Sequence, residues 1–221
     1  VIKILGKPGN NDAEMLAFAL ERGFSDGHSS EVEAEADEIH KRGIIDEDKI
    51  INENGIDGRR DFRDIITFTI DPADAKDFDD ALSIKKLSNG NFEIGIHIAD
   101  VSYYLKDKMK MDDEAIFRET SVYLVDRTIP MLPEVLSNDL CSLVEAKDRL
   151  VMSAVFELDE KSEVLNSWYG RSIINSNKRF TYEDAQENLE KEGSLYHEEL
   201  LTLNTLAKNL QRNKIKDGAL V

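Results

Sequence analysis

The stretch that decides the fold is Ile65–Ala99, IITFTIDPADAKDFDDALSIKKLSNGNFEIGIHIA. It holds three strand signals and two connections of opposite character. IITFTI is short and β-branched, while ALSIKKL and FEIGIHIA flank Ser88-Asn89-Gly90-Asn91, whose Asn-Gly pair is a strong hairpin signal. In the last strand Phe92, Ile94, Ile96 and Ile98 alternate with Glu93, Gly95 and His97, the period of a strand with one apolar face. The connection between the first two strands carries five carboxylates, Asp71, Asp74, Asp77, Asp79 and Asp80, within ten residues, relieved by one cation, Lys76. Like charges this close repel and raise one another's pKa values, so their concentration asks for a reason.

Outward from this stretch the signals stay mixed. RLVMSAVFELD and VLNSWYGRSIINS predict a second hairpin turning at DEKSE. Two helices follow, TYEDAQENLEKEG capped by Thr181 and a longer one over roughly Glu198–Lys216. Between the hairpins MDDEAIFRE predicts a helix, and SVYLVDRTIPMLPEVLSNDLCSL a loop-rich stretch broken by Pro130 and Pro133. Upstream, VIKIL predicts a strand. NDAEMLAFALERG predicts a helix with Asn11 as cap, Glu14 completing a capping box, Leu16 and Leu20 on one face and Gly23 ending it. SSEVEAEADEI predicts a very acidic helix boxed by Ser30 and Glu33, with Val32, Ala36 and Ile39 inward. Residues 40–60 predict a connection wrapped over a surface, and the composition changes at GRRDFRD, Gly58–Asp64. Strands first and helices after predict an α+β fold, a mixed, largely antiparallel sheet with flanking helices, rather than strict βαβ alternation.

Length and charge bound the function. At 221 residues the chain can hold one large domain, or one domain plus a piece of another. A net charge of −17 argues against a free-standing duplex DNA binder but leaves room for a metal-mediated contact with phosphate. One cysteine, Cys141, excludes an internal disulfide and suits a reducing cytoplasm; no run approaches the length of a membrane span, and no obligate protein partner is evident. The chain opens without an initiator Met and closes in DGALV, a new apolar run past a helix stop at Gly218, so it reads as a fragment of something longer.

The aspartate loop narrows the chemistry. Hard carboxylate oxygens without nearby Cys or His suit Mg²⁺, or Mn²⁺, rather than Zn²⁺. Asp71, Asp77, Asp79 and Asp80 are enough for a two-metal pair of the kind nucleases use. An EF-hand fails in both registers: from Asp71 the sixth position is Lys76, and from Asp77 the sixth and twelfth are Leu82 and Ser88. A phosphatase of the haloacid dehalogenase type wants Asp-x-Asp directly after the strand, and Asp71-Pro72-Ala73 does not supply it. On spacing alone a metal site leads, with a solvated acidic turn as its competitor.

TIDPADAKDFDDA resembles the signature of the RNase II / ribonuclease R family of exoribonucleases, the RNB domain. GIHIADVSYYL, TSVYLVDRTIPMLPEVLSNDLCSL and DRL resemble family blocks in the same order, and LGKPGNNDAEML and GRRDFRD resemble the segment joining a cold-shock domain to the RNB domain. The resemblance implies processive, Mg²⁺-dependent hydrolysis of single-stranded RNA from its 3′ end, releasing 5′-mononucleotides. It places the four metal-binding and catalytic aspartates on Asp71, Asp77, Asp79 and Asp80, with catalysis depending most on Asp79 and no role for Asp74. It makes Tyr123 a base-stacking residue and Tyr182 a residue that places the terminal nucleotide. It divides the chain into residues 1–57, the end of a cold-shock domain and a helical linker, and residues 58–221, the N-terminal part of the RNB domain. Arg127, Arg149, Lys178 and Arg179 are weaker candidates for a phosphate channel. Asp100 reads as a strand end, His97 as structural, Trp168 as core, and Cys141 as no nucleophile. The sequence departs from the family at Val144 and Glu145, where many members carry Arg or a following Pro. A catalytically silent RNA-binding module, or an inactive truncated fragment, is the alternative.

Overall fold

The computed structural model describes residues 1, 3–25, 27–43 and 58–219. In chain order these form α1 (Asn11–Glu21), α2 (Ser30–Arg42), β1 (Arg60–Asp61), β2 (Thr67–Asp71), β3 (Asp80–Lys86), β4 (Phe92–Ala99), α3 (Val101–Tyr104), α4 (Lys110–Arg118), β5 (Val122–Tyr123), β6 (Thr128–Ile129), β7 (Asp148–Leu158), β8 (Val164–Asn175), β9 (Lys178–Thr181), α5 (Tyr182–Glu190) and α6 (His197–Lys216). They fall into two compact units, Val1–Gly43 with Ser102–Ser137, and Ile44–Val101 with Asn138–Val221. The expected connection over residues 40–60, and with it the boundary at 57/58, lies largely outside the described residues, as does the end of DGALV.

The second unit is built on one seven-stranded sheet in the order β1-β8-β7-β4-β3-β2-β9. The β3–β4 and β7–β8 hairpins form as the sequence predicts, and β4 pairs antiparallel with β7, joining them. Gly90 takes a φ of +91° in the first turn, a left-handed conformation that glycine adopts without strain. The two outer strands run the other way: β1 is parallel to β8 and β2 parallel to β9. The sheet is therefore mixed and largely antiparallel, with α5 and α6 flanking it, as expected. Ile84, Ile94 and Leu158 pack on Leu206 of α6, and Phe68 and Phe180 pack on Leu200. The two phenylalanines meet edge to face at 5.6 Å.

The isoleucine alternation of β4 holds as a period, but its burial reverses along the strand. Ile94 is buried under α6, whereas Ile96 and Ile98 are exposed and Gly95 and His97 are buried. Phe62 packs its ring against His97 at 5.0 Å and covers the opposite face there. A Cβ on Gly95 would stand 2.3 Å from Ser83 Oγ and 2.6 Å from His97 Nε2, so glycine makes room for the imidazole. Across four strands Ser83 Oγ, His97, Ser153 Oγ and Ser172 Oγ form one buried polar chain, with contacts of 2.8, 2.6 and 2.6 Å. His97 is thus structural, as the sequence predicts. Trp168, expected in the core, is only half-buried, because its strand turns toward solvent beside Arg60, whose guanidinium sits 5.4 Å over its ring.

Burial, and secondarily the charge of Arg60, lowers the His97 pKa to about 4. An unfolded imidazole titrates near 6.5, so between those values the unfolded chain binds a proton the folded one refuses. The contribution of His97 to stability is therefore full above pH 6.5 and declines as pH falls toward 4. His97→Gln, which cannot take that proton, should lose about 2 kcal/mol less stability than the wild type between pH 7 and pH 5 in urea unfolding. Parallel pH curves for the two proteins would contradict this.

In the first unit α2 buries Val32, Ala36 and Ile39 as expected. The caps sit one residue earlier than expected. Asn10 Oδ1 accepts from Ala13 N, and Ser29 Oγ from Val32 N, because the cap is whichever residue last keeps extended backbone before the helix. α4 has no side-chain cap of its own; Glu35 of α2 accepts from Lys110 N and Met111 N at its first turn. The strand expected in VIKIL is absent from its described residues, where Val1 and Ile4 are exposed and no ladder partner is at hand. Among the described residues no helix is long and apolar enough to cross a membrane.

Candidate active site

β2 ends on Asp71 and β3 begins on Asp80, and the two strands are antiparallel neighbours, with Thr67 opposite Ser83 and Phe68 opposite Leu82. The loop between them is tied down along its length. Ala75 N donates to Pro72 O at 3.1 Å. Arg179 of β9 donates through Nη2 to Pro72 O and Ala73 O, and its guanidinium lies 5.3 Å over the Phe78 ring. Ser142 Oγ donates to Lys76 O at 2.8 Å and accepts from Phe78 N at 3.1 Å. Leu143 N donates to Phe78 O at 2.8 Å, and Ala99 N to Asp79 O at 3.0 Å. These hydrogen bonds all run to backbone carbonyls and amides of the loop.

The four aspartates are not equivalent. Asp71 is buried, 7% exposed, and its Oδ2 has no hydrogen-bond partner. Asp77, Asp79 and Asp80 are exposed, as is Asp74. Burial pushes the Asp71 pKa up, Asp80 and Asp79 push the same way, and Thr69 and Arg179 pull it down. Partial desolvation at the start of β3, where Asp80 still reaches solvent, and then the Asp79 charge raise Asp80. Asp71, Asp79 and Asp80 therefore share one electrostatic site. The side chains do not close into a finished cage: among the described residues no three Asp, Glu, His or Cys side chains converge closely enough to hold an ion.

The donor set nevertheless fits a hard divalent cation. Every ligand type on the loop is a carboxylate, one carboxylate oxygen is buried and unpartnered, and two of the acids carry raised pKa values that a cation would lower. The sign is open to test. A carboxylate with a raised folded pKa favours folding only below its unfolded pKa and loses that contribution as pH rises through the folded value. At neutral pH, without metal, Asp71 thus costs stability. Asp71→Asn should raise the metal-free thermal midpoint at pH 7 by about 2–4 °C, with the gain vanishing near pH 4. An unchanged or lowered midpoint at pH 7 would contradict it.

The remaining candidates separate. Tyr182 is exposed at the first turn of α5, and the parallel β2–β9 ladder sets Thr181 opposite Asp71, so Tyr182 stands next to the end of the strand that leads into the loop. Thr181 caps α5 as expected, in a full capping box with Asp184. Tyr123 is exposed on the β5–β6 hairpin of the other unit. Arg127, in that same unit, pairs with Asp12 at 2.7 Å and Asp126 at 2.8 Å. Arg149 is buried and donates to Ser142 O, Asp148 O and Asp139. Lys178 pairs with Glu145, which also accepts from Arg179 N, so the departure at Glu145 secures β9 beside the loop. Cys141 is buried and its thiol is pushed up to about 12, consistent with no nucleophilic role. Asp100 does end β4, but it also forms a buried ion pair with Arg59 that the sequence reading missed. Ser142 and its bridge were missed as well; a hydroxyl bonded to two backbone groups leaves no sequence signal.

Residues 59–221 match the RNB domain family. The chain is 40% identical to ribonuclease R of Thermotoga maritima, over 100% of this chain and 31% of that protein. It is 39% identical to ribonuclease R 2 of Lactococcus lactis, over 90% of this chain and 28% of that protein. The fold is similar to Mycoplasma genitalium RNase R in complex with ribose methylated single-stranded RNA, with a TM-score of 0.86 and 27% identity, over 99% of this chain and 34% of that one. The chain thus spans about a third of the length of these relatives.

Proposed function

The chain belongs to the RNB domain family, and on that premise we propose that it forms the aspartate-bearing part of a 3′-to-5′ exoribonuclease. The proposed reaction is processive, Mg²⁺-dependent hydrolysis of single-stranded RNA with release of 5′-mononucleotides, Mn²⁺ serving as a possible substitute. The observation that carries the reading is the loop itself, four aspartates between adjacent strands with a buried, unpartnered oxygen on Asp71. As parts of the same proposal, residues 1–57 are the end of a cold-shock domain and a linker, residues 58–221 the first part of the RNB domain, and the setting is cytoplasmic.

Asp71, Asp77, Asp79 and Asp80 would hold the metal. When bound, a divalent pair supplies Lewis-acid activation of water and stabilisation of the departing 3′ oxygen. The residues of the chain do the rest. Arg179, Ser142, Leu143 and Ala99 fix the loop backbone, which limits the rearrangement the carboxylates need in order to converge on an ion. Tyr182 places the terminal nucleotide beside Asp71. Tyr123 stacks on a base, an interaction worth about 1–3 kcal/mol that is indifferent to sequence. Arg127 meets a phosphate only by releasing Asp12 and Asp126.

The test is a 5′-labelled oligoribonucleotide given to the full-length protein. Mg²⁺-dependent shortening from the 3′ end, with mononucleotide product, supports the proposal. A silent RNA-binding module would retain the oligonucleotide and leave it intact. The same assay on residues 1–221 separates an active chain from an inactive part of an active enzyme.

A further inference from the structure

We propose that Ser142 is a positioning residue for the metal site, acting by fixing the backbone of Asp77; the inference rests on the metal reading above. A single hydroxyl spans Asp77, donating to the carbonyl of Lys76 and accepting from the amide of Phe78. Those two groups belong to the peptide planes on either side of Asp77. Each plane is rigid, so the orientations of the two set φ and ψ at Asp77 and hence the direction of its Cα–Cβ bond. Leu143 N, the next amide along, holds Phe78 O, which belongs to the following peptide plane between Phe78 and Asp79, so the bracket continues past Asp77 toward Asp79.

The bracket is itself held from behind. Ser142 is fully buried, and its carbonyl accepts from Arg149 Nε at 2.8 Å. Arg149 is buried on β7, an eleven-residue strand in the middle of the sheet, and its Nη2 fastens the same turn at Asp139. A rigid strand thus reaches the loop through two side chains, Arg149 and then Ser142. The arrangement answers a specific difficulty. Five like charges on one loop drive it open, and among the described residues no three ligands already converge. Metal affinity then depends on how little the loop must rearrange to close, and a bracket across Asp77 reduces that cost. Groups that orient ligands in this way typically contribute about 10–100-fold to metal affinity.

The experiment is Mn²⁺ binding by calorimetry and by electron paramagnetic resonance on residues 1–221, wild type, Ser142→Ala and Asp79→Asn, with the thermal midpoint of each measured without metal. Expected are binding by the wild type, loss of binding in Asp79→Asn, and about 10–100-fold weaker binding in Ser142→Ala. A lower midpoint for Ser142→Ala with an unchanged Mn²⁺ affinity overturns the proposal, since a purely structural hydroxyl gives that result, and leaves the metal reading standing. Absence of Mn²⁺ binding by the wild type overturns both. If Ser142→Ala does not fold, Ser142→Cys, of similar size but a weak donor, is measured against the same two results.

Discussion

On the proposed exoribonuclease reading, Asp79→Asn is expected to slow RNA hydrolysis by the full-length protein by on the order of a thousandfold or more while leaving its fold and its grip on RNA intact. The side chain is exposed, and the ladder contact at this residue is made by its carbonyl, to Ala99 N. An amide of the same shape therefore disturbs no packing. The charge is another matter. Asp79 is among the causes that raise both Asp71 and Asp80, which places it in the same electrostatic site as both. Removing it relieves repulsion in the metal-free protein and, under the proposed function, removes a hard anionic ligand from the loaded one. The two effects have opposite signs and separate cleanly: thermal stability without metal holds or rises, and turnover collapses. The measurement is single-turnover digestion of a labelled oligoribonucleotide beside a filter-binding isotherm. A folded Asp79→Asn protein that digests RNA at near-normal rate removes the assignment of the site.

The second large effect concerns stability. Arg59 Nη2 and Asp100 Oδ2 lie 2.5 Å apart with both side chains 1% exposed. Arg59 also donates through Nη1 to Val151 O and Ser172 O, while Asp100 N donates to Leu150 O. The pair joins the segment that leads into β1 to the end of β4 and to the β7–β8 ladder. Deleting one partner strands the other charge in the interior, at a cost of about 3–5 kcal/mol. Domains of ordinary stability have only about 5–15 kcal/mol to lose. Asp100→Ala should therefore unfold at much lower urea, and the double variant Arg59→Met, Asp100→Leu should recover much of the loss, since it leaves no buried charge. A cost below about 1 kcal/mol for Asp100→Ala would show that water reaches the pair.

How much of this was legible follows the range of each interaction. The β3–β4 hairpin was readable because Asn89-Gly90 and the period of Phe92–Ala99 are local signals. Helix caps were readable to within one residue, since Asn10 and Asn11, or Ser29 and Ser30, are equally able to cap and only the backbone chooses. The burial of His97 with the exposure of Ile96 was not readable. Alternation says that two faces differ, and not which face a helix or an aromatic ring will cover. Asp100 read as a strand end because its partner lies 41 positions away.

The sequence by itself determined the chemistry of the loop: five carboxylates in ten residues, no soft ligand among them, and strand signals on both sides. It also determined the fold class, because strand and helix periods are carried by neighbouring residues. Only the tertiary structure decided which aspartate is buried, that β9 aligns Thr181 with Asp71, and that Arg179 and Ser142 tie the loop through carbonyls and an amide. The physical reason is that backbone donors and acceptors are the same at every residue. A contact made to them is specified by where the folded chain brings its parts together, and by nothing written at the position itself.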